Sequence, residues 1–108
     1  MIPLFAPKPD IQRGINLNQD REFENELVGA LRKRDVHAME LLQQTYSAAL
    51  YGIIRRIVQD DFGAEKVLQL SLERTWETIE QYDPAKLHLF TWMVSIARMV
   101  ASTELEDQ

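Results

Sequence analysis

The 108-residue chain contains no cysteine. A disulfide framework and a thiolate metal site are therefore both excluded. Histidine is nearly as scarce, leaving only His37 and His88 as imidazole ligands or bases. No apolar run reaches the roughly 18 residues that a membrane span needs. Met1 to Pro9 is apolar and proline-broken, with no basic stretch ahead of the apolar residues, unlike a secretory signal. A cytoplasmic protein with no membrane contact is the expectation. A basic excess is missing too: 12 Lys and Arg stand against 17 Asp and Glu, a net charge of -5. Each gripped phosphate adds salt-dependent affinity, so proteins that hold nucleic acid alone are usually basic. Any contact with nucleic acid must rest on a local patch or on a partner that carries most of the charge.

What is present describes one soluble globular domain. Hydrophobic residues make up 45% and charged residues 27% of the chain, the ordinary range for a packed core. Residues 1–19 hold three of the four prolines and no helical period. They are expected to form an N-terminal tail whose Ile2, Leu4 and Phe5 can dock on the domain. Residues 20–108 are expected to form the helical domain.

Four helices are predicted there. The first starts at Asp20, with Leu27, Val28 and Leu31 on one face. Glu22, Glu24 and Glu26 come early and Arg32, Lys33 and Arg34 late, an order that suits the helix macrodipole. The basic cluster is expected to be a solvated helix end. Asp35 offers an N-cap to the second and longest helix. Its apolar stripe runs through Val36, Met39, Leu42, Tyr46, Ala49, Leu50, Ile53, Ile54 and Ile57. Arg55 and Arg56 flank that stripe and can pair with Asp60 or Asp61.

A third helix is predicted from Ala64 to Gln81, burying Leu68, Leu72, Trp76 and Ile79. Lys66, Leu70, Glu73, Arg74 and Glu77 then fall on the exposed face, with Gln69 between. An exposed Leu70 also offers a contact to a second copy. Tyr82-Asp83-Pro84 breaks the helix; Asp83 can cap and Pro84 fits a first helical position. Tyr82 can stack on a base or staple the loop. The fourth helix, from about Leu89, turns Phe90, Met93, Val94, Ala97, Val100 and Ala101 inward and leaves Trp92 half exposed beside Met99. His88 reads as a solvated loop residue and His37 as a surface one. No two-residue alternation occurs, so the fold class is all-α, a compact bundle of about four helices.

Three segments, LYGIIRRIVQDD, AEKVLQLSLERTWETIEQYDPAK and LFTWMVSIAR, follow one another in order. Together they resemble the second conserved region of bacterial RNA polymerase sigma factors of the extracytoplasmic-function type. That region shows an acidic AED-type start, a VLQE turn, a Trp two turns on, an Asp-Pro loop and an F-x-x-W helix ending in IARN. The likeness covers Leu27 to Arg98. It implies a non-enzymatic transcription-initiation module without a cofactor. It implies as partners the core polymerase, through the β′ clamp helices, and promoter DNA, as the single-stranded minus-ten element. An anti-sigma factor is a further implied partner. Carried over position by position, the polymerase-binding residues are Glu65, Lys66, Gln69, Leu70 and Glu73. The DNA-binding candidates are Arg55, Arg56, Tyr82, Lys86, Trp92 and Arg98.

The chain departs from that pattern at several of these positions. Lys66 and Leu70 stand where the family is usually acidic. Met99 replaces the Asn of IARN, and Glu106 stands where a basic residue is usual. Leu87 and His88 replace the usual glycine and basic residue of the loop. From Leu87 onward, Arg98 is the one base against Glu104, Glu106 and Asp107. The helix-turn-helix domain that such factors add is not in this sequence, so either a fragment or a stand-alone degenerate relative is expected. Two functional readings follow: a core-binding, promoter-melting module, or a protein-interaction module that regulates transcription without touching DNA. A di-metal enzyme built on a helical bundle needs Glu-x-x-His pairs on facing helices, and the sequence has none.

Overall fold

A computed structural model describes residues 17–106. All four predicted helices are present: α1 (Leu17–Arg32), α2 (Val36–Ile57), α3 (Asp61–Glu77) and α4 (Leu89–Glu106). A short 3-10 turn, Ile79–Gln81, follows α3. No strand occurs among the described residues, and none of their helices is long and apolar enough to cross a membrane. The tail residues Ile2, Leu4 and Phe5 lie outside the described residues.

The helix boundaries follow from local capping chemistry. α1 begins at Leu17, three residues ahead of the predicted Asp20. Its end is closed by a residue in the left-handed region, Arg34 (φ 64). The Arg34 N–H donates to the Leu31 carbonyl at 3.0 Å and the Asp35 N–H to the Ala30 carbonyl at 3.1 Å. These are the two bonds of a Schellman ending. Asp35 then caps α2 as expected, its Oδ1 accepting from the His37 N–H at 2.9 Å. Asp60 caps α3 in the same way, accepting from the Gly63 N–H at 2.6 Å. Gly63 sits in a tight place: an added Cβ would lie 3.0 Å from Val58 Cγ1 and 3.1 Å from the Asp60 carboxylate, so those side chains would have to give by a few tenths of an ångström.

α3 is the central element. It packs against both α2 and α4, which also touch each other, while α1 lies over α2 and the 3-10 turn. The core gathers Leu27, Val28 and Leu31 from α1 and Leu42, Leu50 and Ile54 from α2. Val67, Leu72 and Ile79 add to it, with Leu89, Met93 and Ala97 from α4. The buried stripe of α3 is Ala64, Val67, Ser71, Leu72 and Thr75. This corrects the predicted stripe, because Leu68 and Trp76 are only half buried. Small side chains at 64, 71 and 75 let two neighbouring helices approach. The two hydroxyls bond back along the helix, Ser71 to the Val67 carbonyl at 2.7 Å and Thr75 to the Ser71 carbonyl at 2.8 Å. Their polarity is thereby satisfied inside the core. A pattern search that rewards large apolar residues passes over such a stripe.

Candidate partner and nucleic-acid surfaces

Two surfaces hold the predicted site residues. The first is the outer side of α3. Glu65, Gln69 and Glu73, spaced by four, are exposed and lie close along one line of the helix. Gln69 and Glu73 border a groove shared with Val36, Met39 and Glu40 of α2 and with Leu72 and Trp76. Val36 is 61% exposed although its spacing placed it in the apolar stripe. Trp76, predicted as core, forms the far wall of this groove. The Arg34 guanidinium lies 5.0 Å above its ring and donates to its carbonyl. The basic cluster at the end of α1 is therefore not simply solvated.

Two members of the predicted polymerase-binding set are engaged within the chain. Lys66 Nζ lies 2.9 Å from Glu104 Oε1 in the last turns of α4. Leu70, expected to be exposed, is half buried. It enters a cleft between α3 and α4 with Ile96, Met99, Val100 and Thr103. The cause lies in α4, whose far end follows α3 closely enough to cover one flank of its outer face.

The second surface is the 82–88 loop with the start of α4. Tyr82 is 2% exposed, so its ring has no free face for a base. Its hydroxyl donates to the Leu87 carbonyl at 2.7 Å, and its ring packs on Trp92 at 5.2 Å between centroids. Of the two readings of Tyr82, the geometry is that of the staple. Burial pushes its phenol above the usual tyrosine range; the Glu24 charge acts in the same direction and Arg21 and Arg32 against it. Asp83 does not cap α4. Its Oδ1 accepts from the Ala85 N–H at 2.9 Å and its carbonyl from the Lys86 N–H at 3.0 Å. The result is one closed turn ahead of the helix.

α1 holds this loop in place. Arg32 donates to the Tyr82 carbonyl, and Arg21 donates to the Pro84 carbonyl at 3.3 Å. Glu24 reaches the start of α4, where one carboxylate oxygen accepts from the Leu89 N–H at 3.1 Å. Its other oxygen lies 3.1 Å from His88 Nδ1, and Arg21 Nη1 is 3.4 Å from that same nitrogen. His88 is solvated, as expected, its side chain 57% exposed, and it is paired as well. With α1 starting at Leu17, Glu24 lies mid-helix; the dipole it serves is that of α4. Single-sequence reasoning missed Arg21, Glu24 and Arg32, because no local spacing links them to a loop 50 or more residues on.

The remaining predicted DNA-binding residues are dispersed. Arg55 is committed at the α2–α3 turn, its Nε 3.0 Å from Asp61 Oδ1 and its Nη1 donating to the Val58 carbonyl at 2.9 Å. The expected pairing with an acid of that turn is thereby met by Asp61. Arg56, Lys86 and Arg98 are exposed, and Trp92 is half buried as its spacing predicts.

The described residues thus form an all-helical bundle with a largely apolar groove beside its central helix and a stapled loop before its last helix. The family model for sigma-70 region 2 matches residues 42–108, which spans α3, the loop and α4. The chain belongs to the sigma-70 region 2 family, a non-catalytic transcription-factor domain. No curated protein and no solved structure matches it.

Proposed function

We propose that this chain is a core-binding and promoter-melting module of transcription initiation. In this reading α3 meets the β′ clamp helices of the core polymerase through Glu65, Gln69 and Glu73 and the adjoining apolar groove. The observation that carries it is the family match over a stretch that contains both this exposed row and the loop–α4 surface. Lys66 and Leu70 play a smaller part, since one pairs with Glu104 and the other lines the α3–α4 cleft.

Strand opening then falls to the start of α4. Tyr82 backs the Trp92 ring, so Trp92 offers a base a surface already fixed in one orientation. Stacking a base on such a ring is worth about 1–3 kcal/mol, similar to the cost of unstacking it from its neighbours. Lys86, Arg98 and Arg56 are the exposed cations that meet phosphates. With a net charge of -5, the chain holds DNA only when assembled with the polymerase.

The second reading, a sigma-like module that regulates transcription by protein contact alone, is favoured by the burial of Tyr82 and by the acids at the end of α4, Glu104 and Glu106. An anti-sigma factor covering the α3 groove belongs to either reading. One experiment separates the two: gel retardation of a single-stranded AT-rich promoter fragment, with and without core polymerase. Retardation that needs core and is lost in Trp92→Ala or Arg98→Ala supports strand opening. Capture of core with no retardation at low salt favours the second reading. Failure to bind core would overturn both.

A further inference from the structure

The loop and α4 start that carry the proposed strand-opening surface are fixed by a helix outside the family-matched residues. α4 opens without a cap of its own. The first helical bond runs from the Trp92 N–H to the His88 carbonyl, which puts His88 at the N-cap position, where a capping oxygen is preferred. Glu24 supplies that oxygen from α1, accepting from the Leu89 N–H at 3.1 Å. Its side chain is only 13% exposed, so the bond is partly shielded from competing water. A carboxylate at this position also meets the positive end of the α4 dipole. Arg21, one turn earlier, ties the Pro84 carbonyl. The same face of α1 therefore holds the loop at its middle and at its end.

We propose that Glu24 is a positioning residue for strand opening, fixing the first turn of α4 and with it the ring of Trp92. The proposal rests on the reading of α4 given above. Trp92 lies three residues past Leu89, within the turn whose leading N–H Glu24 accepts. The ring is held on one side by Tyr82, whose own hydroxyl is bonded to Leu87, one residue before His88. Releasing Glu24 loosens the backbone that both rings depend on and leaves the outer face of α3 unaltered. Promoter affinity and core affinity thus separate at this residue.

The test uses the full chain with core polymerase. Hydrogen exchange at Leu89–Trp92 in the free protein reads the first turn of α4. A single-stranded AT-rich oligonucleotide bound to the assembled complex reads strand capture, and core affinity without DNA reads the α3 face. In Glu24→Ala, exchange at these amides is expected to rise about fivefold, the factor that corresponds to losing one helix cap. Strand affinity is expected to fall by a similar factor while core affinity holds. Glu24→Gln keeps an oxygen that can accept from Leu89 and is expected to restore both readouts; it also serves as the folded control. Strand affinity unchanged in Glu24→Ala, or no rescue by Glu24→Gln, overturns the proposal while the functional reading stands. A wild-type complex that retains no strand overturns that reading, and the proposal with it.

Discussion

The outer face of α3 and the 82–88 loop are the two surfaces that carry the proposed function, and they are built in opposite ways. Glu65, Gln69 and Glu73 owe their positions to helical repeat alone: each points outward because its spacing puts it there. The loop owes its shape to residues far away in sequence. Arg21, Glu24 and Arg32 bind its carbonyls and its exit, and Tyr82 closes it from within. The difference teaches what a substitution costs. At Glu65, Gln69 and Glu73 a change alters what the surface binds and leaves the fold alone. In the loop, binding and stability change together.

That contrast can be broken at several points. The largest effect is expected at Tyr82. Truncating a buried aromatic residue costs about 3–5 kcal/mol, so Tyr82→Ala should shift the urea midpoint strongly and expose Trp92, read by its fluorescence. A wild-type midpoint would mean that the loop is not stapled. Next is Leu70→Glu. If Leu70 were freely exposed, as its spacing suggests, the change would be nearly neutral. Half buried between α3 and α4, a carboxylate there should cost about 1–3 kcal/mol. The resemblance by itself favours Glu at this position and Asp at Lys66, but Lys66→Asp sets an acid beside Glu104, and the pair of changes should lower thermal stability.

A smaller effect separates the two halves of the Tyr82 contact. Tyr82→Phe keeps the packing and loses the bond to Leu87, a loss of about 1 kcal/mol. Its pH dependence follows from the raised phenol. The folded state resists ionisation above the ordinary value of 10.0, whereas the unfolded chain ionises there. This contribution to stability is fully present below that pH and is lost as pH rises through the raised value. Wild type should therefore lose stability more steeply than Tyr82→Phe on alkaline titration; parallel curves would sink the assignment. The smallest change in stability is expected for Glu73→Ala, within about 0.5 kcal/mol of wild type. The same variant should weaken core binding measurably in a pull-down titration, which is the behaviour expected of a face set by helical repeat.

Much of this architecture is legible in the residues. The cap at Asp35, the face of Leu27, Val28 and Leu31, and the half exposure of Trp92 all follow from local spacing and side-chain chemistry. What escapes a local reading has two causes. Ser71 and Thr75 look polar in sequence, yet their hydroxyls bond back to the helix and allow burial. Leu70 reads as exposed because its cover, Met99 and Thr103, comes from another helix, and so does Glu104, the partner of the exposed Lys66. The pairing of the exposed His88 has no local signal because its partners, Arg21 and Glu24, stand more than 60 residues away.

The sequence by itself determined the helices, the Asp35 cap, the acidic balance and the family, because periodicity, local capping and motif order act over a few residues or along one helix. Only the tertiary structure decided which surfaces remain open. Burial of Tyr82, the covering of Leu70 and the capping of α4 by Glu24 depend on how helices meet, and contacts between distant segments leave no local pattern to read.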